Sequence, residues 1–261
     1  MPEFQEKCRV SAIEQLASDV FRLTVHAPLI AGAAHPGQFV MVRVVDGFDP
    51  LLRRPFSIHQ QFAGGSLKLL FKVIGQGTHI LSGLAAGDTI SLLGPLGRGF
   101  DLACREPVCL IGGGMGIAPL AFLAKRLALS GRDSSLDFVL LGARDGDEVS
   151  SLADDFSQLG YTVVPATDDG SLGHHGFIPE LLDDVLPAVS RVYSCGPYPM
   201  MRTVVAKCQK ADVVCQVSLE THMACGLGAC LGCTVQGNSG QYVHVCKQGP
   251  VFYSGEVAWT E

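Results

Sequence analysis

Through much of the first hundred positions apolar and polar residues alternate with a period of two. Phe21, Leu23 and Val25 interleave with Arg22, Thr24 and His26, and Leu67, Leu69, Phe71 and Val73 interleave with Ser66, Lys68 and Lys72, with Leu70 as the one interruption. That period predicts half-buried antiparallel strands, and turn signals at His35-Pro36-Gly37, Asp46-Gly47, Gly64-Gly65 and Gly94-Pro95-Leu96-Gly97 separate them. A small antiparallel β-barrel follows. From about Pro107 the grammar changes to short apolar strands alternating with helical stretches. Strands are expected over 108–111, 136–141, 161–165, 191–194 and 213–219, with helices over 119–130, 151–159, 178–185 and 200–208. This is βαβ order and predicts a parallel-sheet α/β domain. After Glu220 regular patterning stops, leaving a cysteine-rich loop and a short aromatic tail of Phe252, Tyr253 and Trp259. The expected fold class is thus mixed β and α/β, divided as a barrel over 1–101, an α/β domain over 102–219 and a small C-terminal module over 220–261.

Composition narrows the function. Of 261 residues 48% are hydrophobic and 17% charged, enough for a large core and too apolar for disorder. A formal charge of −6 with no basic run argues against a nucleic-acid partner held through phosphates. No apolar run approaches the roughly 18 residues of a transmembrane helix. Met1 is followed by Pro2, Glu3 and Gln5 rather than by a basic and then apolar leader, so a cytoplasmic protein without membrane attachment is expected. In that compartment Cys8, Cys104, Cys109, Cys195, Cys208 and Cys215 read as buried reduced thiols.

The remaining four cysteines carry chemistry. Cys225, Cys230, Cys233 and Cys246 stand as C-x4-C-x2-C-x12-C, whose first three members have the plant-type [2Fe-2S] spacing. Gly226, Gly228 and Gly232 between them allow a tight backbone whose N–H groups face sulfur. The competing reading is structural zinc, but zinc ribbons supply two separate close pairs, whereas here a triplet is followed by a distant fourth ligand. That fourth cysteine comes earlier than in plant-type ferredoxins, so a shortened module is expected.

Three further stretches suggest nucleotide binding. Arg53-Arg54-Pro55-Phe56-Ser57-Ile58 ends a strand-like run with a guanidinium suited to clasp a pyrophosphate, and Gly75-Gln76-Gly77-Thr78 opens a short helical pattern that could face the same anion. Each is also consistent with an ordinary surface or a Thr-capped turn. Together they favour a flavin dinucleotide. Gly112-Gly113-Gly114-Met115-Gly116-Ile117-Ala118-Pro119 lies at a strand-to-helix junction but lacks the last glycine of G-x-G-x-x-G, and reads equally as a packing turn or as a nucleotide-approach loop. Cys195-Gly196-Pro197 and Asp168-Asp169-Gly170-Ser171 fall at other strand ends, on the edge where ligands bind in open α/β sheets. His174-His175 reads as a solvated loop pair. Arg144-Asp145-Gly146-Asp147-Glu148 mixes charges and leaves NAD and NADP undivided.

In this order the motifs resemble the ferredoxin–NADP reductase superfamily, and within it the electron-transfer subunits of class B dihydroorotate dehydrogenases. The resemblance spans nearly the whole chain and is most specific over 220–233 and 245–252. It implies FAD contacts from Arg54, Pro55, Phe56, Ser57, Phe71, Lys72, Val73, Gly77 and Thr78, with Ser57 near the flavin ring and Phe56 where relatives often carry Tyr. It implies a nicotinamide nucleotide, NAD, at Gly112, Gly113, Gly114, Gly116, Cys195, Gly196 and Pro197. The [2Fe-2S] cluster falls to Cys225, Cys230, Cys233 and Cys246, and the family's short loop explains the x12 spacing. No catalytic residue for substrate is implied in this chain. The resemblance assigns that chemistry to a separate FMN-containing dihydroorotate dehydrogenase catalytic subunit, in a heterotetramer of two of each, serving pyrimidine biosynthesis. Similar subunits serve NADH-dependent ferredoxin:NADP reductases, hydrogenases and sulfite reductases.

Overall fold

The computed structural model describes residues 3–259. Met1, Pro2, Thr260 and Glu261, at the outer ends of the first and third expected domains and of the N-terminal stretch read for a leader, lie outside the described residues. Six strands close the barrel: β1 (Phe4–Gln15), β2 (Val20–His26), β3 (Phe39–Arg43), β4 (Arg54–Phe62), β5 (Ser66–Lys72) and β6 (Thr89–Leu96). Their order is β1-β2-β5-β4-β3-β6, all antiparallel. Two short helices, α1 (Pro28–Ala33) and α2 (Gln76–Ser82), fill its connections. Leu23, Val25, Leu67, Leu69 and Phe71 point inward onto Val40, Val42 and Ile58, as the period-two pattern requires. Leu70, which broke that pattern, points outward with Val20 into the core of the second domain. The interruption marks the interdomain face.

The second domain runs β7 (Val108–Gly113), α3 (Ile117–Ala128), β8 (Phe138–Ala143), α4 (Gly146–Ser157), β9 (Thr162–Thr167), β10 (His174–His175), α5 (Leu182–Val185), β11 (Arg191–Cys195), α6 (Tyr198–Lys210) and β12 (Val214–Ser218). The sheet order is β10-β9-β8-β7-β11-β12 and every pairing among these is parallel. Helix α4 starts five residues before the expected Ser151, because the Asp145 carboxylate accepts from the Glu148 N–H at 3.0 Å and caps it. The stretch 178–185 is not one helix. A 3₁₀ turn over Ile178–Leu181 precedes the single turn of α5. His174 and His175 form a short edge strand on β9 rather than a loop, with His174 Nε2 2.8 Å from Glu180 Oε2.

The C-terminal region is more regular than its sequence. It holds a hairpin of β13 (Thr234–Gln236) and β14 (Tyr242–His244), the turn of helix α7 (Val245–Gln248), and β15 (Val251–Tyr253). Strand β15 joins the main sheet as a seventh strand, antiparallel to β12. Three-residue strands are too short to show a period, which is why the pattern fell silent there. The aromatic tail is partly this strand.

The barrel and the α/β domain are joined by polar contacts around helix α4. Asp155 Oδ2 accepts from Arg22 Nη2 at 2.6 Å and lies 3.1 Å from His59 Nε2, while Gln60 Nε2 donates to Asp155 Oδ1 at 3.1 Å. The other ring nitrogen of His59 faces the Ala118 carbonyl at 3.0 Å. Arg22, read from its alternation as a solvent-facing residue, is only 8% exposed, and His59 is fully buried. A second link runs from Lys72 Nζ to both Glu148 oxygens at 3.1 Å, and Phe122 of α3 packs into the barrel core.

Burial raises the Asp155 pKa, but the His59 hydrogen bond and the charges of His59 and Arg22 outweigh it and hold the carboxyl below its ordinary value. A depressed folded-state value means that this stabilisation is present above the unfolded carboxylate pKa, about 4, and is lost as pH falls through the folded one. Asp155→Ala, leaving Arg22 buried without its partner, is expected to destabilise the chain by about 3–5 kcal/mol at neutral pH in urea titrations. Its acid limb should be flatter than that of the parent. A change below 1 kcal/mol would show that the contact is dispensable.

Candidate functional site

The four candidate cluster ligands lie together as two pairs. Cys225 and Cys230 share one side of the loop, with the Cys230 N–H 3.4 Å from Cys225 Sγ, and Cys233 Sγ lies 3.1 Å from Cys246 Sγ. Cys233 and Cys246 are buried and Cys230 is exposed. Backbone N–H groups are directed at sulfur: Leu227 at Cys225, 3.3 Å, and Gly228 at Cys246, 3.1 Å. Burial raises the Cys225 pKa, but N–H donation from Leu227 and Cys230 prevails and lowers it to about 6. Cys246 is pushed up to about 12, first by burial and then by Cys233. Two thiol pairs held side by side suit two irons with two thiolates each, and the N–H groups suit the negative charge that such a centre carries. Among the described residues no three His, Cys, Asp or Glu side chains gather as a single-ion site.

The loop curls as expected at Gly226 and Gly228, with φ of +72° and +80°, but the third left-handed residue is Leu231 rather than Gly232. A Cβ on Gly226 would lie 2.5 Å from Met41 Cγ, so this loop rests directly on barrel strand β3. Leu227 and Leu231 stand exposed around Cys230.

The flavin candidates lie on β4, at the end of β5 and on the α2 turn. Arg53 is tied inward, donating to the carbonyls of Met41 and Ser91 at 3.2 and 2.9 Å, whereas Arg54 turns toward α2. A Cβ at Gly77 would sit 3.2 Å from Arg54 Nε, so the missing side chain makes room for the guanidinium and leaves a cradle between β4 and the α2 turn. Thr78 is committed to that turn, its hydroxyl accepting from the Ile74 and Gly75 N–H groups and donating to the Gly75 carbonyl at 2.9 Å. Phe56 packs on Phe71 with ring centroids 5.8 Å apart, and Phe71 stacks on Phe21 at the same distance. Pro55 and Ser57 lie beside Phe56 on β4, half-buried, and Val73 follows β5, where its N–H donates to the Asp19 carbonyl at 2.7 Å. Arg54 Nη1 donates to the Leu52 carbonyl at 2.6 Å, and a half-buried guanidinium beside Gly77 with the Phe56 ring nearby on the same strand suits the phosphates and ring of a flavin dinucleotide. Lys72 Nζ is paired with Glu148 across the domain contact.

A cavity of about 600 Å3 crosses the carboxyl ends of β11, β7, β8 and β9. Gly113, Gly114, Met115 and Pro197 line it together with Arg144, Asp168, Phe177 and Met200. Gly112 and Gly116 sit behind the wall. A Cβ on Gly116 would fall 2.3 Å from the Cys195 carbonyl oxygen, and this close approach brings the Gly-rich turn and Cys195-Gly196-Pro197 to one edge. The Cys195 thiol itself is fully buried and outside the cavity lining, and desolvation pushes its pKa well above the ordinary value, so it is no nucleophile. Gly196 and Pro197 border a second cavity of about 490 Å3 that reaches Glu220, Thr221 and Gln236. Phe177 and Met200 gave no sequence signal, since an aromatic in a loop or a Met on a helix reads as packing. The Asp168 turn did announce itself.

A closed six-stranded barrel ahead of a parallel α/β domain defines a ferredoxin reductase type of flavoprotein. A ferredoxin NADP+ reductase from Neisseria gonorrhoeae shares this fold at a TM-score of 0.67 and 18% identity, over 79% of this chain and 91% of that one. The oxidoreductase FAD-binding domain model matches residues 7–100, and the model for the iron–sulfur cluster binding domain of dihydroorotate dehydrogenase B matches 220–258. Dihydroorotate dehydrogenase B (NAD(+)), electron transfer subunit, from Desulforamulus reducens is 44% identical over 96% of this chain and 97% of its own length. The protein of the same name from Caldanaerobacter subterraneus subsp. tengcongensis is 37% identical over 96% and 97%. A structure of NADH-dependent reduced ferredoxin-NADP oxidoreductase superposes at a TM-score of 0.86, with 32% identity over 97% of this chain and 90% of that one. The chain belongs to the family of dihydroorotate dehydrogenase B electron transfer subunits, and is an oxidoreductase subunit with an FAD-binding and an iron–sulfur domain.

Arg54→Ala should weaken FAD retention by about 1.5–3 kcal/mol, the value of a charge-assisted hydrogen bond, in flavin release measured by fluorescence. Unchanged affinity would place the pyrophosphate elsewhere.

Proposed function

We propose that this chain passes electrons from an FMN-containing dihydroorotate dehydrogenase catalytic subunit, through a [2Fe-2S] cluster and FAD, to NAD+. The observation that carries this reading is the thiol-paired loop resting on the strand beside the candidate flavin cradle, in a chain that is up to 44% identical to electron transfer subunits. When bound, the cluster supplies single-electron transfer and the flavin supplies exchange between single electrons and hydride. The residues of the chain do the rest. Cys225, Cys230, Cys233 and Cys246 would hold the cluster, with Cys230 on the exposed side amid Leu227 and Leu231, where a partner would approach. Arg54 would hold the flavin's phosphates, and Phe56, backed by the buried Phe71, would offer its ring an apolar surface. Ser57, whose hydroxyl has no protein hydrogen bond among the described residues, is free to meet the ring's polar edge. The turn at Gly113 and Gly114 lets the nicotinamide nucleotide approach the backbone, and Pro197 flanks its reactive end. Dihydroorotate oxidation belongs to the FMN-containing partner, in an assembly of two copies of each chain, a reading supported by the electron transfer subunits this chain resembles.

The likeness to the NADH-dependent reduced ferredoxin-NADP oxidoreductase gives a second reading, in which ferredoxin or an NADP-linked partner stands in place of the dihydroorotate-oxidising one. Mixing the holo chain with an FMN-containing dihydroorotate dehydrogenase subunit separates the two. NADH should form from dihydroorotate and NAD+ only when both are present, and absence of NADH with intact cofactors would favour the second reading.

Cys230→Ser is expected to remove the cluster's visible absorption and electron paramagnetic resonance signal while NADH still bleaches the flavin. Loss of bleaching in folded protein would reverse the relay order.

A further inference from the structure

Of the eight histidines, all among the described residues, only His59 is buried. It stands at a β-bulge in β4, between Ile58, paired with Leu69, and Gln60, paired with Lys68. In a regular pleat successive side chains take opposite faces. Here Ile58 enters the barrel core, and the extra residue lets His59 and Gln60 both reach out to Asp155 on α4. Both ring nitrogens of His59 meet acceptors. The Ala118 carbonyl, 3.0 Å from Nδ1, can only accept, so Nδ1 carries a proton. At Nε2 the partner is Asp155 Oδ2, 3.1 Å away, which already accepts from Arg22 at 2.6 Å, while Oδ1 accepts from Gln60. With a guanidinium so close that carboxylate is ionised and has no proton to offer, so Nε2 donates as well. The ring is an imidazolium, a second buried cation beside Arg22 on one carboxylate.

The two sides of this ring belong to different sites. Ala118 is the second residue of α3, two places beyond Gly116 in the turn assigned to the nicotinamide nucleotide, and Ser57, assigned to the flavin, lies two residues before His59 on β4. We infer that His59 is a positioning residue for hydride exchange, its doubly protonated ring pinning the nucleotide turn onto the flavin strand and so setting the distance the hydride crosses. This rests on the flavin and nucleotide sites proposed above. A neutral ring would keep one of the two hydrogen bonds and turn a lone pair on the other acceptor, freeing one strand of the junction. Hydride transfer tolerates little displacement of that kind.

Two measurements test this, and the first needs no turnover. In the FAD-loaded parent with isotope-labelled histidine, NMR at neutral pH should show protons on both nitrogens of the ring that exchanges most slowly with deuterated water. A neutral ring in either tautomer overturns the inference, whether or not any variant folds. The second uses His59→Gln, whose amide carries both donor hydrogens on one nitrogen and cannot span the two acceptors. As NADH becomes NAD+, its hydride, two electrons with one proton, passes to the bound flavin, and anaerobic stopped-flow should show the limiting rate of that step about tenfold or more below the parent's. Calorimetry should find ADP-ribose, which lacks the nicotinamide, bound within about threefold of the parent's affinity. An unchanged rate in a variant that thermal melts show to be folded overturns the inference. A loss of ADP-ribose affinity as large as the loss of rate also overturns it, because His59 would then serve the fold of the turn itself. A parent whose FAD is not reduced by NADH overturns instead the sites on which the inference rests.

Discussion

A single carboxylate decides how the two large domains sit. Asp155, on helix α4 of the nucleotide domain, is gripped by Arg22 of β2 and by His59 and Gln60 of β4, so three barrel side chains from two strands converge on it. With Arg22 and His59 withdrawn from water, a rotation of one domain against the other would leave buried polar groups unpaired, which is costly. The apolar contacts of Leu70, Val20 and Phe122 supply area, but area alone is tolerant of sliding. The polar triad sets the angle. The candidate flavin residues of the barrel and the cavity over β7 and β11 keep their placement only if that angle is kept.

The same economy of distance governs the cluster loop. Gly226 touches Met41, and Met41 lies on β3, next to the β4 strand that bears Arg54, Phe56 and Ser57. One strand of barrel therefore separates the cysteine loop from the flavin candidates. Lys72, placed by resemblance among the flavin contacts, is spent on Glu148, and Thr78 on its own turn. Of the nine flavin candidates, Arg54, Pro55, Phe56 and Ser57 on β4 and Val73 after β5 have half-buried side chains with no hydrogen-bond or ion-pair partner outside the barrel's own strands and turns among the described residues.

Much of this was legible beforehand because the chain uses simple periods. The barrel strands announced themselves by alternation, the α/β domain by its switch of period, and the cysteine module by ligand spacing. What stayed hidden has identifiable causes. Arg22 looked like a surface residue because a period-two pattern reports only which face a side chain takes, not whether another domain covers that face. Leu70 was the trace of that cover. The start of α4 was displaced because Asp145 and Glu148 mark it by capping, while its apolar residues begin later. Cys195 was legible as a strand-end residue, but its burial depends on Ser218 and the β12 end, brought beside it only by tertiary pairing.

Strand β15 changes how the cysteine module should be regarded. The chain leaves the sheet after β12, builds the module, and returns as β15 beside the strand it left, with the Leu219 N–H donating to the Pro250 carbonyl at 2.9 Å. Entry and exit are one hydrogen bond apart. The module is therefore topologically an insertion between two neighbouring strands. Lengthening or shortening such a loop costs only slowly growing closure entropy. A gap of twelve residues between the third and fourth cysteines is therefore spanned between two strand ends that the sheet already holds together, while Cys233, Val245 and Cys246 pack into the same core as Val217 of β12.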